Sequence, residues 1–192
     1  MDKKPHIISC AQILFAQFGL KKVTMDDIAR EAHVSKATLY KHFKNKSSIF
    51  DTVVQGEIDS LVQIIRDSVN AQSGARGKLR AHLSTRLGKV GEFVNFYRVT
   101  QESWGEYWPH FARIRNAFVK REHDLVLGIL RGGIEMGELE IDNPDMAAWA
   151  LVLALASVEY QWASIEGEFS LNEMVDMMID MIFNGIGVRH ND

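Results

Sequence analysis

Cysteine and long apolar runs are scarce in this chain of 192 residues. The single cysteine, Cys10, excludes an intramolecular disulfide and a multi-cysteine zinc site, and its apolar surroundings favour a small buried side chain over a reactive thiol. The longest nearly unbroken apolar stretch, residues 146–158, has thirteen residues, whereas a membrane-spanning helix needs ~20. No apolar signal segment follows the first residues. We therefore expect a soluble, cytoplasmic protein without membrane contact.

Strand signals are scarce as well. Runs of alternating valine, isoleucine and threonine are few, only three prolines occur, and apolar residues recur at helical spacing almost everywhere. These features predict an all-α fold. We place about nine helices at residues 5–18, 25–32, 36–43, 47–71, 75–92, 94–107, 109–136, 144–165 and 170–186.

Some helix ends carry specific signals. Gly19 stands where a left-handed C-terminal cap is expected. Asn143 before Pro144 predicts a helix start, and Ser170 followed three residues later by Glu173 forms a capping-box pattern. These last two starts are the clearest boundaries in the sequence.

The small net charge of −3 conceals a gradient along the chain. Residues 1–50 carry nine lysines and arginines against four acidic residues, a surplus of +5, whereas residues 51–192 carry 13 against 21, a balance of −8. Such asymmetry points to an anionic partner for one part of a chain. On charge alone, a solvated basic face is an equally good interpretation.

Two short predicted helices joined by a three-residue turn lie in the basic segment. This layout is typical of a helix-turn-helix, in which the second helix enters the major groove and the first braces it. The apolar residues that would join the helices are Ile28, Ala29, Ala32, Val34, Leu39 and Phe43. Candidates for contact with phosphates and base edges are Thr24, Lys36, Thr38, Tyr40, Lys41, His42 and Lys46.

The stretch Thr24–Lys46 carries a recognisable motif. Its part Ser-x-x-Thr-Leu-Tyr-x-His-Phe-x-x-Lys begins at Ser35, and it resembles the N-terminal signature of the TetR family of bacterial transcriptional regulators over about residues 5–55. The resemblance implies an all-helical, Ω-like homodimer. Three N-terminal helices would bind DNA, a fourth would connect, and the remainder would form a ligand pocket and the dimer interface.

The resemblance also implies roles for single residues. Phosphate contacts would fall to Tyr40, His42 and Lys46, and base-edge or groove contacts to Lys36, Ala37, Thr38 and Lys41. Ser35, the predicted cap of the recognition helix, completes the predicted DNA-binding set. The chain departs from the family pattern at two positions, because His33 and Ala37 stand where many members have glycine. His33 must then adopt a left-handed backbone or reshape the turn.

The segment from Ser73 to Gly77 holds two glycines and a serine, and it is the best candidate for a domain boundary. We expect a helix-turn-helix domain over residues 1–47, a connecting helix over 48–71, and a ligand-binding and dimerisation domain over 72–192.

All four tryptophans lie beyond this boundary, together with most other aromatic residues. Such residues can line a pocket for a small apolar or aromatic effector. The candidate pocket residues are Phe96, Tyr97, Trp104, Trp108, Phe111, Phe118, His123 and Trp149. Core and dimer packing is the alternative role for each ring.

The helix predicted at 144–165 is apolar all round over residues 146–158, and the last helix is similarly two-sided. Such helices need packing on two faces. Pairing both with their symmetry mates would give a four-helix bundle at a homodimer interface, whereas a core hairpin in a monomer is the alternative.

Catalytic patterns are not found. The chain has no His-Glu-x-x-His zinc motif, and its Ser73–Lys78 segment lacks the first glycine and the final Ser/Thr of a phosphate loop. We expect a DNA-binding repressor with no cofactor, no metal and no enzymatic activity, whose partners are double-stranded operator DNA, the effector and a second copy of the chain. Two alternatives stay open: a helical carrier or enzyme with an aromatic pocket, and an architectural DNA binder without an effector.

Overall fold

The computed structural model describes residues 3–89, 92, 93, 95, 108–165 and 170–184, without the side chains of residues 108–111 and 159–165. Within these ranges all regular structure is α-helical, so the all-α prediction is confirmed. The eight helices are α1 Lys4–Lys22, α2 Met25–Glu31, α3 Lys36–His42, α4 Lys46–Asn70, α5 Gly74–Gly88, α6 Trp108–Glu135, α7 Pro144–Ile165 and α8 Leu171–Asn184. Apart from Asn95, the helix predicted at 94–107 lies outside the described residues.

The two helix starts predicted from the capping residues Asn143 and Ser170 are present in the structure. The Asn143 side chain accepts a hydrogen bond from the Met146 backbone at 3.0 Å, and Ser170 and Glu173 form the reciprocal bonds of a capping box. The prediction for Gly19 was wrong: its φ is positive at 78°, but ψ is 159°, and the chain resumes helix as far as Lys22. Gly19 therefore kinks α1 rather than ending it, in a conformation that glycine adopts without steric cost.

The chain packs into two compact units. One comprises Met1–Ser60 with Gly91–Ile114, and the other comprises Leu61–Val90 with Arg115–Asp192. Residues 92, 93 and 95 therefore pack with the N-terminal unit, although they follow α5 in the chain.

The first unit is built on an apolar core shared by α1 to α4. Phe15 and Phe50 meet edge to face with ring centroids 5.1 Å apart, and both are buried. Ile28 and Leu39 are fully buried as well, so that each of the short helices α2 and α3 is anchored by an apolar side chain. Burial of one such side chain contributes about 1.5–3 kcal/mol.

In the second unit, α5 packs against α8 through buried apolar side chains and through exposed ion pairs. The Arg80 Nε atom lies 2.6 Å from Asp176 Oδ1, and Arg76 pairs with Asp180 one turn away. These pairs are exposed, so each adds little to stability and mainly fixes which faces meet. The buried residues of these two helices are Ala75, Leu79, His82, Leu83, Arg86, Leu87, Val175 and Ile179.

The start of α5 is capped from a distant part of the chain. Ser73 makes no side-chain cap, and instead Glu138 Oε2 accepts a hydrogen bond from the Ala75 backbone at 2.5 Å. The carboxylate lies at the positive end of the helix dipole, where an anion is stabilising.

Among the described residues, no helix is long and apolar enough to cross a membrane.

Gly133 allows the end of α6 to approach α5 closely. We predict that Gly133→Ala lowers the free energy of unfolding by about 1–3 kcal/mol, as overpacking does. The added methyl would lie 2.7 Å from Ala75 Cβ and 2.7 Å from Leu139 Cδ1. Gly132→Ala is the control, because its methyl meets no described atom within 4 Å and alanine favours helix. Equal stability of both variants in urea denaturation would contradict this packing.

Candidate nucleic-acid interface

A capping box starts α2. Thr24 Oγ1 accepts a hydrogen bond from the Asp27 backbone at 3.2 Å, and Asp27 Oδ2 accepts bonds from the Thr24 hydroxyl at 2.6 Å and the Thr24 backbone at 3.0 Å. The bonds that Thr24 donates lower the pKa of the Asp27 carboxyl. The Thr24 hydroxyl is therefore fixed in direction at the exposed opening of the helix.

The turn between α2 and α3 is a Schellman motif. His33 has φ of 50°, and its backbone donates to Arg30 O at 3.1 Å, while the Val34 backbone donates to Ala29 O at 3.0 Å. Both bonds are those that define the motif, which usually places glycine at the left-handed position. The left-handed alternative expected for His33 is confirmed, because histidine accepts positive φ more readily than most residues.

The recognition helix α3 begins with a cap of its own. Ser35 Oγ accepts a hydrogen bond from the Thr38 backbone at 3.2 Å and lies 2.9 Å from Thr38 Oγ1. Two hydroxyls are thus held side by side at the N-terminal end of the helix. Leu39 and Phe43 are buried beneath it, which turns the opposite face outward.

All nine predicted DNA-binding residues lie at the surface. Those classed as exposed are Thr24, Ser35, Lys36, Ala37, Tyr40 and Lys41, and those half-buried are Thr38, His42 and Lys46. Within α3, residues 36, 37, 40 and 41 share one stripe by helical spacing. The Tyr40 ring is 53% exposed, which is unusual for a large aromatic side chain in a domain with an apolar core.

Two of the predicted contact lysines have partners inside the protein. Lys36 Nζ lies 2.7 Å from Asp26 Oδ2, and this hydrogen bond and its charge raise the pKa of the lysine. Lys46 Nζ donates to the backbone carbonyl of Leu20 at 2.6 Å, at the end of α1 where a cation favours the helix dipole. Sequence reasoning missed both partners, because neither is close to its lysine in the chain.

Of the predicted pocket residues, three are described in full. Phe118 is buried beneath the Arg86 guanidinium, whose Cζ atom lies 4.7 Å from the ring centroid. His123 is buried and stacks on Trp149 with centroids 4.2 Å apart. Phe96, Tyr97 and Trp104 lie outside the described residues, as do the side chains of Trp108 and Phe111.

A buried charged cluster joins α5 to α6. Arg86 Nε donates to Glu122 Oε1 at 2.7 Å, and both side chains are at most 3% exposed. His82 Nε2 lies 3.5 Å from the same oxygen, longer than an ordinary hydrogen bond. Burial acts to raise the pKa of Glu122, but the charge of Arg86 and the nearby His82 hold it below its ordinary value. The i, i+4 spacing of His82 and Arg86 on α5 was the available signal.

The described residues hold no group of three or more histidine, cysteine or acidic side chains suited to a metal. The head, residues 3–50, presents groups suited to recognition: hydroxyls, ammonium groups and a phenol on one exposed helix, next to a capped helix start. These features define a helix-turn-helix DNA-binding protein.

Comparison with known families identifies the chain further. Residues 7–53 match the model described as "Bacterial regulatory proteins, tetR family", and residues 72–186 match "Tetracyclin repressor-like, C-terminal domain". The chain belongs to the TetR family of bacterial regulatory proteins, and it is a DNA-binding transcriptional regulator.

Several of its relatives match nearly the whole chain. The HTH-type transcriptional repressor KstR2 of Rhodococcus jostii (strain RHA1) is 23% identical over 194 residues, which cover 98% of this chain and 93% of the relative. The fatty acid degradation regulator FadR from Bacillus halodurans is 21% identical with a TM-score of 0.77, and 98% of each chain is covered. FadR from Bacillus subtilis, solved in complex with stearoyl-CoA, is 21% identical with a TM-score of 0.74 over 95% of this chain and 99% of that one.

Proposed function

We propose that the protein represses transcription as a homodimer on a palindromic operator and releases the operator when an effector binds. The observation that carries this proposal is the exposed face of α3, whose polar side chains stand outward on a helix that Leu39 and Phe43 anchor. A repressor is favoured because a full-length relative carries that name.

The DNA contacts follow from the positions of the nine surface residues. Tyr40, His42 and Lys46 are proposed to bind phosphate oxygens, and Lys36, Ala37, Thr38 and Lys41 to reach base edges or the groove. Thr24 and Ser35 stand at helix starts, where hydroxyls and unpaired N–H groups favour phosphate. One hydroxyl proton of the Ser35–Thr38 pair is left to donate to a phosphate oxygen, whereas the Thr24 hydroxyl would have to exchange its bond to Asp27 for one to phosphate.

A dimer is supported by apolar side chains that stand exposed on α7 and α8. They are Met146, Leu153, Met177, Met181 and Ile182, with exposed fractions between 36% and 66%. Water contact with such a set is unfavourable, and a second copy of the same surface would cover it. Two heads joined in this way would reach half-sites about 34–36 Å apart, one turn of DNA.

The proposed effector is a long-chain acyl-CoA. Two structures that share this fold belong to fatty acid regulators, and one of them holds stearoyl-CoA. The acyl chain is apolar, in agreement with the apolar effector expected from the aromatic content of the C-terminal region. The effector would act through its different affinity for the DNA-binding and released conformations, and operator DNA would weaken effector binding by the same factor.

The contact face of α3 is tested by removing one positive charge. Lys41→Ala should lower the slope of log Kd against log salt concentration by up to about two, because one ammonium group in the groove of each half-site releases counterions condensed on the DNA there. Lys78→Ala on α5 removes the same charge outside the head and should leave the slope unchanged. Lys46→Ala is a poorer probe because it also removes a bond to α1. Equal slopes for Lys41→Ala and Lys78→Ala would exclude the proposed contact.

The dimer surface is tested by placing a charge on it. In sedimentation the wild-type chain of 21.8 kDa should run at twice that mass, whereas Leu153→Glu and Met177→Glu should run as monomers. Loss of the second head should weaken operator binding by about 100-fold or more. Met136→Glu alters an equally exposed methionine elsewhere and is the control. A wild-type monomer that binds operator tightly would refute the dimer.

The effector class is tested with stearoyl-CoA. At saturation it should raise the operator Kd about 5- to 150-fold, the range of coupling between two linked sites. Free coenzyme A is the control, because it lacks the acyl chain. An operator affinity that is the same with stearoyl-CoA and without it would rule out this effector while leaving the DNA-binding role in place.

A further inference from the structure

Three polar side chains form a closed hydrogen-bonded triangle inside the N-terminal unit. Glu57 Oε1 accepts a bond from Gln12 Nε2 at 3.0 Å and one from Asn95 Nδ2 at 2.7 Å. The second N–H of the same Asn95 amide donates to the main-chain carbonyl of Gln12 at 3.2 Å. Glu57 and Asn95 are only 4% and 2% exposed, whereas Gln12 lies at the surface.

The members of this triangle come from distant parts of the chain. Gln12 lies in α1, within the residues that match the DNA-binding family model, and Glu57 lies in α4. Asn95 lies within residues 72–186, which match the C-terminal domain model. The triangle therefore fastens a piece of the C-terminal domain sequence to the first helix of the DNA-binding head.

Stability alone is a poor explanation for Asn95. Its Oδ1 atom is buried and has no hydrogen-bond partner among the described residues, which is unfavourable. An apolar side chain of the same size would avoid that penalty, whereas only a donor can bind Glu57 and the Gln12 carbonyl together. Buried polar groups of this kind fix one arrangement of the elements they join.

We propose that the Gln12–Glu57–Asn95 triangle couples the effector domain to the DNA-binding head, with Asn95 as the coupling residue. Hydrogen bonds are short-ranged, so a shift of about 1 Å at Asn95 would stretch its bond to Glu57 past the limit of a useful contact. Such a shift would either move α1 and α4 together with Asn95 or remove a hydrogen-bond donor from the buried Glu57 carboxylate. The inference rests on the effector-responsive regulation proposed above.

Coupling is reciprocal, so operator binding must act on the C-terminal domain through the same triangle. The test compares hydrogen–deuterium exchange of the full-length protein with and without a duplex that the wild-type protein selects from a randomised pool. In the wild type, the duplex should change exchange in the head and also in α5 and residues 115–135 of α6. Asn95→Leu should keep the change in the head and lose the change in α5 and α6.

Gln55→Leu is the matched control. Its amide also donates to a carboxylate on α4, Asp59 at 3.0 Å, but on the exposed side. If Asn95→Leu fails to fold, Gln12→Leu replaces it, because Gln12 lies at the surface and its loss removes a donor to Glu57. The change in α5 and α6 should then become smaller without disappearing, because Asn95 keeps its bonds to Glu57 and to the Gln12 main chain.

Two results would overturn the proposal: no change in exchange beyond the head in the wild type, or an undiminished change in exchange in the folded variants.

The effector offers a second measurement. Asn95→Leu should bring the ratio of operator Kd values with and without stearoyl-CoA towards one, while the affinity for stearoyl-CoA alone changes by less than about threefold. If stearoyl-CoA fails to release the wild type, the effector class is wrong, and the exchange experiment still decides the role of the triangle.

Discussion

The recognition helix depends on packing that it cannot supply itself. Helix α3 has seven residues, and an isolated helix of fewer than about 12–15 residues is marginal in water. Leu39 and Phe43 hold it on the core of the head, and Ser35 caps its first turn. Every proposed DNA contact on α3 therefore depends on burial beneath it. The left-handed turn at His33 then sets the direction in which α3 leaves α2.

Several of the positively charged side chains of the head are already paired with other groups of the protein. Lys36 pairs with Asp26, Arg30 pairs with Asp27 at 2.6 Å, and Lys46 binds a carbonyl of α1. The surplus of +5 in residues 1–50 already subtracts Asp26 and Asp27, so it is the count of nine lysines and arginines that overstates what a phosphate would meet in the free protein. These contacts are exposed or half-buried and individually weak, so that DNA can compete for the same cationic side chains. A small DNA-binding surface of the kind proposed is thus compatible with an overall charge of −3.

Sequence signals between neighbouring residues were sufficient to predict helix caps and the helix-turn-helix. The caps at Asn143 and Ser170 lie within three residues of their partners, and the helix-turn-helix is a continuous motif, so both could be recognised in the sequence. Long-range contacts could not. Glu138 caps α5 from 63 positions away, and Asn95 reaches Gln12 across 83. Such pairs depend on how the helices pack, and hydrophobic periodicity carries no information about which polar side chains will meet.

The central claim is that two copies of α3, one from each subunit, read a palindromic operator. A hydroxyl-radical footprint on the DNA upstream of the gene tests it most directly. The account predicts two protected patches of equal strength on one face of the duplex, with centres about one helical turn apart and symmetric sequence between them. A single patch, or protection spread evenly along the DNA without a palindrome, would contradict it.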